Sequence, residues 1–351
     1  MIGLLTVVNV FNYMDRMALA VLAPLIQADL HFSDSQLGVL LGFAFALFYA
    51  LCGFPIARWA DRGNRRTIIS LALATWSVMT ALAGGAQQFW HLFVARMGVG
   101  AGEAGGLAPA QSLLCDYVAP KRRAGVFAVH NFGLIAGAMI GMVLAGAVGE
   151  VLGWRWTFVA LGLPGIVLAV IVRLTLREPA RGRFEAPVNE APRRSLSDTL
   201  GVLWRCRTYR WLTLFMALNS FVQYGLLQWW PSFYARVFEY SLSAVGLSLG
   251  LAFGAGSGLG VLLGGWVGTR AAQRDMRRPL LIGAGALAVA LPLAMASLFV
   301  DSAQASLLLV SLTQLCWGLL SGPVTATLYS VTRPQMRAMG GAVMIFSVSV
   351  V

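Results

Sequence analysis

The sequence predicts an all-α polytopic membrane protein, built as two six-helix bundles of which the second is truncated within its eleventh helix. Three observations carry this reading. The 351 residues are 58% hydrophobic and only 11% charged, against roughly 25% charged in soluble domains. Ten apolar stretches are long enough to cross a bilayer core, which takes about 20 residues. Charge alternates from loop to loop: all but Arg16, Arg96, Arg155 and Arg236 of the 26 lysines and arginines lie in or beside loops of one parity.

The spans cover residues 1–27, 36–57, 67–85, 90–118, 124–149, 154–176, 209–235, 243–268, 279–300 and 305–331, and an eleventh opens near 339 and is still apolar at Val351. The first apolar run continues into a full span, unlike a cleaved leader. Basic loops follow the second span (Arg58, Arg62, Arg65, Arg66) and the fourth (Lys121, Arg122, Arg123). Residues 177–208 hold Pro179, Pro187 and Pro192 among many arginines. They predict a cytoplasmic linker between an N-terminal bundle, 1–176, and an incomplete C-terminal bundle, 209–351. Within the linker, Leu196, Leu200, Leu203 and Trp204 share one helical face behind a cap-like Ser195–Asp198 pair. That pattern predicts a helix lying in the membrane interface.

The positive-inside rule then places the N-terminus, the linker and the other basic loops in the cytoplasm, for a multi-pass protein of the inner membrane. The net charge of +12 is a topology signal on this reading, and nucleic acid is not an expected partner. Cys52, Cys115, Cys206 and Cys316 lack metal spacing and read as reduced thiols. The scattered His31, His91 and His130 form no ligand set, so neither metal nor cofactor is expected. Gly100-Ala-Gly102-Glu-Ala-Gly105 matches a dinucleotide fingerprint, but it lies inside a span with no preceding strand. The H-E-x-x-H motif is absent, and enzyme chemistry is not expected. Glycines at intervals of four (Gly98, Gly102, Gly106; Gly133, Gly137, Gly141; Gly246, Gly250, Gly254, Gly258) mark close helix contacts.

Against this apolar background, charges inside spans stand out. Asp15 and Arg16 lie in the first span, Arg96 and Glu103 in the fourth. A charge in hydrocarbon costs several kcal/mol or more unless it faces a partner or water, so these groups read as functional. Asn9, Asn12, Tyr13 and Arg16 form one helical stripe with Asp15 flanking it. Arg96, Gly100 and Glu103 share another face. Counted from Gln27 and Trp90, Asp15 and Glu103 lie at a common depth of roughly 18–20 Å, near the midplane. Substrate and coupling-ion sites of secondary transporters occur at that depth. The expected chemistry is exchange of an arginine between a carboxylate and an anionic substrate, coupling proton release to substrate binding. Asp15 or Glu103 is the expected proton-sensitive acid, with Arg96 holding an anionic group or the acid. The competing structural reading is a permanent ion-pair cluster joining the two spans.

The second half supplies uncharged polar groups. Asn219, Gln223 and Tyr224 lie in the seventh span, and Gln314 and Trp317 in the tenth. With Asn12 and Tyr13 they are candidate cavity-lining residues. A charged wall facing an amide and aromatic wall suits a ligand with a charged head and an apolar body.

The segment Asp61-Arg62-Gly-Asn-Arg65-Arg66 resembles the loop signature of the major facilitator superfamily, with Ala57 and Asn64 in place of its glycines. Asn12-Tyr13-Met14-Asp15-Arg16, Gly100-x-Gly102-Glu103-Ala104, Gly153-Trp154-Arg155-Trp156-x-Phe158 and Arg177-Glu178-Pro179-x-Arg181-Gly182 look like the spinster-like branch, a group of sphingosine-1-phosphate and lysolipid transporters. The resemblance implies the major facilitator fold, proton-linked transport and functional roles for Asp15 and Glu103. It also implies a conformational gate at Asp61, Arg62, Arg65 and Arg66, with Asp61 meeting the chain near Met339–Gly341. The combined expectation is a secondary transporter working by alternating access as a monomer in the bilayer, moving an organic anion or lipid-like amphiphile with protons. The alternatives are a carboxylate or sugar-acid anion symporter of the same superfamily, and a membrane receptor or scaffold that does not transport.

Overall fold

Long apolar runs with few breakers give helices whose ends fall at glycine, proline and capping residues. A computed structural model describes residues 1–180, 184, 201–202, 204–275 and 278–331. Its elements are α1 (Ile2–Leu30), α2 (Asp34–Gly38), α3 (Ala44–Arg62), α4 (Arg65–Ala83), α5 (Phe89–Glu103), α6 (Leu107–Tyr117), α7 (Pro120–Thr175), α8 (Arg207–Val237), α9 (Leu242–Arg274), α10 (Arg278–Phe299) and α11 (Ala303–Val331). A π-helical turn, Val39–Phe43, joins α2 to α3 in one continuous rod.

Local chemistry sets the ends. Ser33 and Gln36 cap α2 reciprocally: the Gln36 amide donates to Ser33 Oγ at 3.2 Å and the Ser33 amide to Gln36 Oε1 at 2.9 Å. Asn64, the departure from the expected loop glycine, caps α4 by accepting the Thr67 amide at 2.9 Å. The two spans expected over 124–176 are the two arms of α7. They meet at Gly153, whose φ of 78° only a glycine adopts at little cost.

Among the described residues, six helical stretches are long and apolar enough to cross a membrane. One of them, Val129–Thr175, comprises both arms of α7. The other helices expected to span fall short of this criterion for a physical reason. Helix α1 carries the polar stripe of Asn9, Asn12, Asp15 and Arg16, the α5–α6 span is broken, and α8 carries Asn219, Gln223 and Gln228. The segments that hold chemistry are those least able to read as plain hydrocarbon.

The chain divides into two compact units, Met1–Val188 with Leu227–Gly250, and Asn189–Leu226 with Leu251–Val351. In the first, Ile69, Leu73 and Trp76 of α4 pack with Leu5 and Val8 of α1, Leu113 of α6, and Val172 and Leu176. Helix α7 lies so close to α1 that a β-carbon at Gly133 would stand 2.8 Å from the Thr6 carbonyl oxygen, and one at Gly141 2.6 Å from that of Met14. Gly246 of α9 meets Met142 and Gly146 of α7 in the same way. In the second unit, α9 packs on α11 through Gly260 and Gly318, and Leu212 of α8 packs with Leu320. The expected interfacial helix over 195–206 and the eleventh span near 339 fall largely outside the described residues.

Candidate functional site

Helix α1 turns its polar stripe into the first unit, so Asn9, Asn12, Asp15 and Arg16 are all buried. Helix α5 presents Arg96 and Glu103 to the same interior, with Glu103 fully buried. The four charges meet. Arg16 Nε donates to Glu103 Oε2 at 2.5 Å, a buried ion pair between α1 and α5. Thr80 of α4 donates to Asp15 Oδ2 at 3.2 Å. Asn12 flanks Glu103, and Asp15 and Arg96 lie within electrostatic reach of it.

Arginine pairing departs from the simplest expectation. Arg16, not Arg96, holds the glutamate. Arg96 is 4% exposed and forms no ion pair among the described residues. Its Nε, Asp15 Oδ1 and Glu103 Oε1 lack hydrogen-bond partners. The Arg96 guanidinium instead lies 5.3 Å from the centroid of Phe45, whose ring also contacts Arg16 at 4.5 Å. Tyr13 and Tyr49 complete the aromatic cover of Arg16, at 4.9 and 5.0 Å. An aromatic ring stabilises a nearby cation by about 0.5–2 kcal/mol, less than an anion would. Arg96 is therefore dry, charged and still able to accept an anionic partner.

A break in the fourth span lies beside this cluster. Helix α5 stops at Glu103 and α6 starts at Leu107, with Ala104, Gly105 and Gly106 in a tight turn. The Gly106 amide donates to the Glu103 carbonyl at 2.9 Å, and the Gly105 amide to that of Gly102 at 3.0 Å. Pro109 has no amide hydrogen and crowds the carbonyl of Gly105 four residues back, which favours the break there. Non-helical backbone at membrane depth is tolerated only inside protein, and all three turn residues are buried. The glycine-rich fingerprint of this region lies in α5 and its turn, with a helix before it rather than a strand.

The other candidates are more dispersed. Gln314 Oε1 accepts from Ser257 at 3.3 Å within the second unit, and Trp317 is buried nearby on α11. Asn219 and Gln223 are half-buried on α8, and Tyr224 is exposed. Arg62 is exposed at the end of α3. The Asp61 side chain and residues 339–341 lie outside the described residues.

Arg65 is buried in a clasp that sequence reading assigned to a gate. It pairs with Asp116 of α6 at 2.6 Å and Glu178 at 2.7 Å, and donates to Ser112 at 3.0 Å. The Arg66 amide donates to Glu178 Oε2 at 2.9 Å, although its Nε has no partner. The Arg177-Glu178-Pro179 motif thus closes the basic end of the bundle. At the opposite end Asp29 accepts from Arg155 at 2.5 Å and Trp154 at 3.2 Å. That contact explains the Gly153-Trp154-Arg155 motif.

Sequence reading missed Thr80, Phe45 and Tyr49. The last two are spaced by four on α3 and their rings stack at 5.6 Å. That spacing was a visible signal, but it is indistinguishable from ordinary core packing.

Comparison with known proteins agrees with this architecture. The family model of the Major Facilitator Superfamily matches residues 5–351. An MFS-type efflux pump of Mycolicibacterium smegmatis is 31% identical over 98% of this chain and 80% of its own length. The hexuronate transporter of Bacillus subtilis is 27% identical over 69% of this chain, and the match covers 57% of that protein. The crystal structure of a bacterial homologue of the human lysosomal transporter spinster, in an inward-facing and unoccupied conformation, superposes with a TM-score of 0.88 at 31% identity, over 99% of this chain and 78% of the other.

Proposed function

This chain belongs to the major facilitator superfamily, and from that premise we propose that it is a proton-coupled secondary transporter of an organic anion or anionic amphiphile, with Asp15, Arg16, Arg96 and Glu103 as the coupling set. It is a transporter-family protein related to spinster and to sugar-acid carriers. On this reading the basic loops face the cytoplasm of a bacterial inner membrane.

The single observation that supports it is the buried, unpaired Arg96 beside the Arg16–Glu103 pair. Two acids and two guanidiniums balance in charge. An anion bound at Arg96 leaves the set one charge negative in a poorly hydrated interior. A proton on Asp15 or Glu103 restores neutrality, so anion and proton occupancy become linked. A permanent structural cluster would instead pair both arginines. Likeness to the hexuronate transporter favours a second reading of the cargo as a short sugar acid. Likeness to the spinster homologue favours a larger amphiphile.

The test is uptake into proteoliposomes with and without a pH gradient, using a panel of lysolipids, hexuronates and short carboxylates. Uptake driven by the gradient is expected for wild type, and loss of that dependence for Asp15→Asn and Glu103→Gln. Acid variants that fold and transport with unchanged pH dependence sink the coupling; preference for hexuronates over lysolipids decides the cargo against the amphiphile.

A further inference from the structure

Away from the charged cluster, the second unit carries a cleft of about 590 Å³ between the basic-loop ends of α9 and α10. Its walls are apolar, formed by Trp266 and Val267 on one side and Leu281 and Ile282 on the other, and its rim is cationic, formed by Arg270 and Arg278. Trp266 is 56% exposed and Leu281 69%. The Arg270 guanidinium stacks on the Trp266 ring at 3.9 Å. Among the described residues neither Arg270 nor Arg278 has an ion-pair partner. The sequence joining the two helices holds one acid, Asp275, beside Arg274 and Arg277.

We propose that this cleft binds an anionic membrane phospholipid, its phosphate between Arg270 and Arg278 and the start of its acyl chain along Trp266, Leu281 and Ile282. Three features select that occupant. Two guanidiniums from separate helices converge on one rim, and planar N–H forks bind phosphate oxygens well. Stacking on Trp266 fixes Arg270 through its face and leaves its edge donors available. The walls below the rim are hydrocarbon-like and belong to helices apolar enough to span a membrane. A free phosphate would leave those walls wet, whereas a phospholipid covers them. A tryptophan at the level of the basic loops matches the interfacial depth of a headgroup. Basic pockets between spanning helices on the cytoplasmic side are known sites for acidic headgroups. This site goes beyond the transport reading: it rests on that reading's orientation of the basic loops and not on its substrate or coupling set.

Native mass spectrometry of the detergent-purified chain, titrated with phosphatidylglycerol, phosphatidylcholine or inorganic phosphate, tests the site. Phosphatidylglycerol is expected to stay bound under conditions that strip phosphatidylcholine, and millimolar phosphate to leave it in place. Arg270→Ala with Arg278→Ala should weaken phosphatidylglycerol binding by roughly 30-fold. Arg270→Lys should retain part of the affinity, and both variants should melt as wild type does because the two side chains are exposed. If the double variant does not fold, Arg270→Gln alone serves, with an expected loss of about fivefold. Equal retention of the two lipids, or variants that bind phosphatidylglycerol as wild type does, overturns the site. Displacement by phosphate overturns the lipid as its occupant. No transport is measured, so a failure here is separate from a failure of the coupling proposal.

Discussion

Arg96 sets the charge balance of the buried cluster, and its part in receiving an anion can be read from a single variant. If it receives the anion, Arg96→Ala removes a desolvated charge contact of about 2 kcal/mol or more, at least roughly 30-fold in apparent substrate affinity. The Arg16–Glu103 pair would survive, so the variant should still fold. Phe45→Leu should be milder, because it removes only the shared ring face, about 1–2 kcal/mol across two cations. Competition uptake across a substrate panel reads both, and an Arg96→Ala variant with wild-type affinity contradicts the role. Arg65 makes the contrast. It is 1% exposed and joins Asp116 and Glu178, so Arg65→Ala takes a buried cation from both carboxylates at once. A loss of roughly 3–5 kcal/mol is expected, visible as a lower melting temperature in detergent with little change in substrate preference among molecules that remain folded.

Helices meet this site through backbone, and that explains which parts were legible in sequence. The glycine intervals on α7 identified a close contact, and the contact is real: Gly137 and Gly141 lie against Val10 and Met14 of α1. Gly141→Leu should drive α1 away one residue before Asp15 and cost about 1–3 kcal/mol by overpacking. Gly258→Ala, where a β-carbon meets nothing within 4 Å, should be neutral or stabilising by up to about 1 kcal/mol through helix propensity. Thermal melts of the pair check this, and equal effects would dismiss the packing account. The four buried charges were equally legible, because a charge in an apolar run needs no partner to be noticed. Which arginine took Glu103 was not legible. That choice depends on how α1, α3 and α5 pack together, and Gly100 of α5 lies so close to α3 that a β-carbon there would stand 2.5 Å from the Phe45 carbonyl oxygen. The break at Ala104–Gly106 had its signals in Gly105, Gly106 and Pro109, but continuous hydropathy across 90–118 concealed it.

On the scale of the whole molecule, the chain closes the end opposite its basic loops with exposed polar clasps inside the first unit. Arg236 pairs with Asp34 at 2.6 Å and donates to Gln27 at 2.5 Å, so the end of α8 is tied to α1 and α2. Glu150 accepts the Ser243 amide at 2.7 Å at the start of α9. Three carboxyls there are held below the usual carboxylate range: Asp34 by its hydrogen bonds from Arg236 and Gln27, Asp29 by the one from Arg155, and Glu150 by the Ser243 amide. The sign of the linkage follows. Groups with depressed native pKa values contribute stability that is full above the unfolded values, near 4, and is lost as pH falls through the native ones. Each clasp is solvent-exposed and screened, so each contribution is small. Asp34→Asn should therefore loosen the end of α8 at neutral pH and make little difference once the pH has fallen below the depressed native value of Asp34. Hydrogen exchange of the backbone over residues 227–250, compared between wild type and variant at both pH values, reads this locally. A difference that persists unchanged into acid would show that the aspartate acts through packing, and that the seal at this end does not depend on its charge.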